Sequence, residues 1–269
     1  MGFLRVDASP LLRPLRLELV ALLTGLSADE WMAATVCPGW SVHGVASHLL
    51  GVELGNVSVR RDHWALSPGE GEDPDAWLNV FNQEWVEAAR RISPPLLVEL
   101  IGVAARHFEE HVGGLDLDAC GGPVEWATGQ DPAPVWLDVA REYMERYVHQ
   151  QQIRDATGRP GLGADFTRPV LVAAAHALPM ALRGLLRPVG TTVTFTAAGP
   201  GGGTWHVVRA KEGWELGTGR PPAPPACEVH TSAHGAIKLY TRDPAAPAPE
   251  QRGDSELAGA LARAKAVLG

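Results

Sequence analysis

The chain changes its hydrophobic period near residue 160, and that change limits the folds open to it. Up to there, apolar residues recur at helical spacing. Leu12, Leu15, Leu19, Leu22 and Leu23 form one stripe over 9–25, with Ser9 as N-cap, Pro10 at the first helical position and Gly25 as a stop. A second helix is expected from Ser41 to about Arg61, with Val42, Val45, Ala46, Leu49, Val52 and Val57 inward. After a polar loop at 68–74, a third spans 75–92 with Trp77, Leu78, Phe81 and Trp85 as its apolar face. The Ser-Pro-Pro at 93–95 breaks it and opens another, 96–112. A Gly/Pro-rich loop covers 113–134, longer than an idle connection needs, and a last helix runs from after Pro134 to the stop at 157–161. This is the element count of a helical bundle.

Beyond residue 165 the pattern is different. One helix, interrupted near Pro179, precedes four short β-rich runs, TTVTFTAAG, TWHVVRA, GWELGTG and ACEVHTS. Turn and loop signals separate them, and Gly201–Gly203 read as a hairpin turn between the first two. Helices at about 232–241 and 254–268 flank a Pro-rich loop. The reading is therefore two domains: 1–160 all-α, and 165–269 a smaller α+β domain with a mostly antiparallel sheet.

Composition narrows the function. Net charge is −8 and the adjacent basic pairs, Arg60–Arg61 and Arg90–Arg91, are isolated, which argues against a nucleic-acid surface. Three well-separated cysteines, Cys37, Cys120 and Cys227, make no disulfide framework and point to a reducing cytoplasm. The N-terminal stretch MGFLRVDASPLLRPLR breaks its apolar run with charges, unlike a secretory signal. No run approaches 18 apolar residues, so no membrane span is expected.

The chemistry-bearing spacings are on the helices. In EYMERYVHQQQ, Glu145 and His149 stand four apart, one turn from each other on one helix face. They lie on the shoulder of the arc made by Trp136, Leu137, Ala140, Tyr143, Met144, Tyr147 and Val148, whereas Arg146 and Gln150 are expected opposite it. Two readings stand: half of a metal site, or a partly exposed polar pair. A third donor must come from another helix, and His48, beside Val45, Leu49 and Val52, is the best placed. His48, Glu145 and His149 would make a His₂Glu set, the pattern of a catalytic Zn²⁺ with one open position, though it also suits Fe²⁺ or Ni²⁺. The rival pair His107 and His111 ends a helix, where histidine favours the C-terminal dipole, and is read as a surface feature. Cys37, before Pro38-Gly39-Trp40, is read as a packing residue at a helix entry. Asp138 and Arg141, two turns and one turn before Glu145, are candidates to support it.

The stretch WMAATVCPGWSVHGVASHLLGVE at 31–53 resembles the N-terminal motif of the mycothiol-dependent maleylpyruvate isomerase family, among the DinB-like metal-binding bundles. REYMERYVHQQQIRDATG at 141–158 resembles the family's last bundle helix. The resemblance implies an N-terminal DinB-like four-helix bundle and a C-terminal domain related in shape to sterol-carrier domains. It implies a divalent metal, Zn²⁺ above others, on His48, Glu145 and His149, and mycothiol as a low-molecular-weight thiol cosubstrate. The family shows Gly-Arg near the end of its penultimate helix and Gly-Asp before its last. This chain has Gly253-Asp254 but Thr241-Arg242, with Thr in place of the family's first Gly, and two readings of Arg242 stand: the holder of a substrate carboxylate, or a surface arginine at a helix end.

The implied activity is addition or transfer of the thiol to an electrophilic small molecule, as an isomerase or S-transferase. Two alternatives remain open on the residues: a hydrolase using a metal-bound water, and a non-catalytic small-ligand-binding protein.

Overall fold

The computed structural model describes residues 4–266, the side chain of Asp75 excepted. Its helices in the first half are α1 (Ser9–Thr24), α2 (Ala28–Met32), α3 (Val42–Asn56), α4 (Pro74–Ala89) and α5 (Pro94–Gly113). A short hairpin of β1 (Cys120–Pro123) and β2 (Pro132–Pro134), with α6 (Glu125–Thr128) between its strands, leads into α7 (Val135–Ala156). Then come α8 (Ala164–Ala174), α9 (Ala177–Leu182), β3 (Thr192–Ala198), β4 (Gly203–Arg209), β5 (Trp214–Thr218), β6 (Cys227–Ser232), α10 (Ala233–Tyr240), β7 (Glu250–Gly253) and α11 (Ser255–Ala262). Two compact units divide the chain: Ser9–Leu115 with Val148–Gly161, and Met1–Ala8 with Asp116–Tyr147 and Leu162–Gly269. The division falls inside α7, which is one continuous helix.

The helical unit is built on α3. Its core joins Leu19, Leu22 and Leu23 of α1, Val42, Val45, Ala46, Leu49 and Leu50 of α3, Leu97, Ile101 and Ala104 of α5, and Ile153 of α7. These are the stripes expected from leucine and valine spacing. A Leu→Ala change among such residues costs about 2–5 kcal/mol. Gly51 lets α4 approach α3, since a Cβ there would sit 2.7 Å from the Trp85 ring. Trp85 Nε1 then donates to the Ser47 carbonyl at 2.7 Å. The buried face of α4 is Val86 and Ala89 rather than Trp77, Leu78 and Phe81. Trp77 and Phe81 instead stack on each other, centroids 5.1 Å apart, with Phe81 left exposed.

Five elements of this part of the chain were not anticipated. The five-residue α2 is too short to show a period, but it carries a capping box: Ser27 accepts from the Glu30 amide, and the Glu30 carboxylate accepts from the Ser27 amide. The expected 113–134 loop contains the β1–β2 hairpin and α6, which pack Val124, Ala127 and Ala133 against Trp136 and Leu137. A single turn of π-helix, Val57–Arg61, continues α3, so the expected helix end near Arg61 holds but its last turn is not α.

In the other unit the sheet has the order β5-β4-β3-β6-β7. Only the β3–β6 pairing is parallel, with Val193 beside Cys227. The alternate residues Val193, Phe195, Ala197, Trp205, Val207, Cys227 and Val229 are buried on one face, and Thr192 and Thr194 on the other face of β3 are buried as well. The helix expected to break near Pro179 breaks at Ala175–His176, between α8 and α9. Pro179 sits in the first turn of α9, where a missing N–H costs nothing. β7 forms inside the expected Pro-rich loop. The last helix, expected over 254–268, spans Ser255–Ala262, and residues 267 and 268 lie outside the described ones. Among the described residues, no helix is long and apolar enough to cross a membrane.

Candidate metal centre

The turn before α3 does more than enter a helix. The Thr35 hydroxyl donates to the Trp40 carbonyl at 2.9 Å and accepts from the Cys37 amide at 3.1 Å. The Trp40 amide closes the turn on the Cys37 carbonyl, and Gly39, at φ +78°, makes the left-handed step. Ala34 and Ser41 bridge across its base, and the Ser41 hydroxyl caps α3 by accepting from Gly44. The turn therefore fixes where α3 starts. It also lays the Trp40 ring against His48 two turns later, with centroids 4.9 Å apart. Trp40 is held in turn by its Nε1 donating to Gln83 at 2.8 Å.

His48 is buried on α3 and His149 is buried on α7, their rings edge to face with centroids 4.7 Å apart. Glu145 is one turn before His149 on the same helix and is partly exposed. One ligand atom from each of His48, Glu145 and His149 lies within 4.8 Å of the other two. Among the described residues no other group of three or more His, Cys, Asp or Glu comes together this way. The sequence-expected donors are thus brought to one point. Two neutral imidazoles and a carboxylate suit Zn²⁺ and its borderline neighbours, so the residues present fit a divalent ion.

Around the donors, several sequence expectations change. Arg146 and Gln150, expected on an outward face, are both buried. Arg146 Nη1 donates to the Glu142 carboxylate at 3.1 Å and to the Glu142 carbonyl at 2.7 Å, which makes its burial tolerable. The Gln150 amide, with its oxygen toward Leu19 N at 3.0 Å and its nitrogen toward Leu15 O at 3.2 Å, is satisfied by the backbone of α1. Asp138 and Arg141 pair with each other at 2.7 Å, and Arg141 also reaches Glu142. Cys37, read as a packing residue, donates its thiol to Gln152 Oε1 at 3.2 Å. The same oxygen lies 2.7 Å from His149 Nδ1. Only the three-residue offset from His149 to Gln152 hinted at this in the sequence.

The other candidates go elsewhere. His43 bonds the Ile92 carbonyl and the Ser47 hydroxyl and packs on Trp31. His107 is exposed and faces Glu110 at 3.7 Å. Burial pushes the His111 pKa down, and the nearby Arg60, Arg61 and His63 push it further. Arg242 is exposed, at φ +54°, just past the end of α10, with its amide donating to the Leu239 carbonyl. Asp254 is the N-cap of α11, accepting from the Glu256 and Leu257 amides, and these with Arg187 hold its carboxyl below the usual range.

Comparison with known proteins agrees with this architecture. The model of the mycothiol maleylpyruvate isomerase N-terminal domain matches residues 12–154. Two solved structures share the fold over 91% of this chain and 91% of theirs: the mycothiol-dependent maleylpyruvate isomerase, at 11% identity and TM-score 0.55, and a histidine-to-alanine mutant of the same enzyme, at 12% and 0.56. No curated protein matches the sequence. With more than half its length matched, and with a helical part followed by a sheet-containing C-terminal region, the chain belongs to the mycothiol maleylpyruvate isomerase N-terminal domain family.

Proposed function

We propose that the protein is a divalent-metal enzyme that uses mycothiol on an electrophilic small molecule, in the manner of a maleylpyruvate isomerase. The observation that carries the reading is the convergence of His48, Glu145 and His149 in a chain whose residues 12–154 match this family. In this reading residues 1–160 are the DinB-like four-helix bundle that carries the metal, and 165–269 the sterol-carrier-like domain. His48, Glu145 and His149 hold the ion, Zn²⁺ by preference of the donor set. A divalent ion bound there would supply the positive charge that lowers a thiol's pKa from its ordinary value of about 8.5.

The chain's own residues do the rest. His48 and His149, buried, exclude water from one side of the donor set. Trp40 walls His48 with an aromatic face. Arg242 is the proposed partner of a substrate carboxylate. Its left-handed backbone belongs to the end of α10, where the Arg242 amide donates to the Leu239 carbonyl and the Asp243 amide to the Lys238 carbonyl, and this end leaves the guanidinium exposed. The thiolate forms a C–S bond to one carbon of a conjugated double bond, and the electron pair moves toward the activating carbonyl. Rotation about the new single bond follows. The C–S bond then breaks, the double bond re-forms, and the thiolate is returned. If the carbon instead carries a leaving group, the same attack ends in S-transfer.

The test is turnover of a cis-configured conjugated keto acid, with and without mycothiol and with and without a chelator. The reading expects activity only with both thiol and metal. Activity without thiol would replace it with the hydrolase. Arg242→Ala is expected to raise KM for a carboxylate-bearing substrate about tenfold or more, with metal content unchanged.

A further inference from the structure

We propose that Gln152 is a positioning residue for His149, and that Cys37 is the second anchor of its amide. The proposal rests on the metal reading of His48, Glu145 and His149. Gln152 follows His149 by three residues on α7, on nearly the same helix face. Its Oε1 is 2.7 Å from His149 Nδ1 and 3.2 Å from Cys37 Sγ.

An amide oxygen only accepts hydrogen bonds. Both partners must therefore donate: the Cys37 sulfur carries its proton, and His149 carries its ring proton on Nδ1. That tautomer leaves the Nε2 lone pair available, which is the form of imidazole that ligates a metal. The bond also fixes the ring's rotation about its Cβ–Cγ bond. Cys37 keeps the amide from turning, because the Thr35 hydroxyl and the Trp40 amide hold its turn. One turn thus supports both histidines, Trp40 against His48 and Cys37 through Gln152 to His149.

The choice of an amide has an electrostatic consequence. A carboxylate at residue 152 would fix the same tautomer but would add a second negative charge beside that of Glu145. Gln152 orients His149 at no charge. The donor set then carries one formal negative charge, and a divalent ion keeps a net positive charge for an anionic sulfur ligand.

The experiment compares the full-length, tag-free protein with Gln152→Leu, which removes the acceptor, and Gln152→Glu, which keeps one. Two readouts are taken: imidazole ¹⁵N NMR on zinc-free protein, and Zn²⁺ affinity by competition with a chelator. The wild type is expected to show His149 protonated on Nδ1. Gln152→Leu should lose that preference and bind Zn²⁺ about 10–100-fold more weakly, and Gln152→Glu should recover both. Cys37→Ala should shift the tautomer in the direction of Gln152→Leu, by less.

A wild-type spectrum with the proton on Nε2 overturns the proposal, and that holds even if Gln152→Leu fails to fold. So does a Gln152→Leu protein with unchanged tautomer and affinity. If the wild type takes up no Zn²⁺ while Nδ1 protonation depends on Gln152, the positioning stands and the metal reading falls.

Discussion

Two helices carry polar pairs at the same spacing, and they end differently. On α7, Glu145 and His149 meet His48 of α3, with all three ligand atoms within 4.8 Å. On α5, His107 and His111 stand one turn apart as well. His107 is exposed and faces Glu110, and His111 lies among Arg60, Arg61 and His63. An i,i+4 spacing puts two side chains on one face, but it does not provide a third donor or a favourable charge. α7 has both, from a buried facing histidine and its own carboxylate. On α5, His111 lies among cations, which repel a divalent ion, and His107 meets Glu110 at the exposed surface.

Removing what the α5 pair lacks should make the α7 pair behave like it. His48→Ala is expected to weaken metal binding by more than about 100-fold, beyond the loss expected for an outer hydrogen-bond partner. Isothermal titration with Zn²⁺ measures this. The next contrast lies within α5. Ile101 is 1% exposed and Leu100 is 37% exposed. Ile101→Ala should cost about 2–5 kcal/mol in urea unfolding, and Leu100→Ala within about 0.5 kcal/mol of nothing.

The pH response of the α5 pair is smaller. His111 has its pKa lowered by burial and nearby cations, so the folded state disfavours its protonation. Its contribution to stability is present above the unfolded value of about 6.5 and is lost as pH falls from there toward the folded value. His111→Gln should therefore flatten the loss of thermal stability over that window. Smallest of all, the double change His107→Ala with His111→Ala should leave Zn²⁺ affinity within about twofold of the wild type.

The long helices were legible because their buried stripes come from leucine and valine at regular spacing, as in Val42, Val45, Ala46 and Leu49 of α3. The three metal-donor candidates were legible for a related reason: each sits beside such a stripe. Their convergence is a property of packing, and spacing alone left it open. Two short elements, α2 and β7, were not legible. α2 has five residues and shows itself only by the reciprocal bonds of Ser27 and Glu30. β7 has four exposed residues and exists because β6 pairs with it, Val229 beside Gln251.

The outward placement of Arg146 and Gln150 failed for a specific reason. A period argument assigns one buried arc to a helix, and α7 is buried nearly all round. Glu142 and the α1 backbone satisfy the polar groups there. Cys37 packs against the helical core as read, but the bond of its thiol to Gln152, 115 residues away in the chain, was beyond any spacing argument.

Metal content of tag-free protein, by mass spectrometry, tests the central claim most directly. Wild type, His149→Ala, and the His107→Ala with His111→Ala double variant are measured side by side after reconstitution with Zn²⁺. The account predicts about one divalent ion per chain in the wild type and the double variant, and close to none in His149→Ala. A wild type without metal, or a His149→Ala protein that keeps it, would contradict the assignment of His48, Glu145 and His149 as the metal centre.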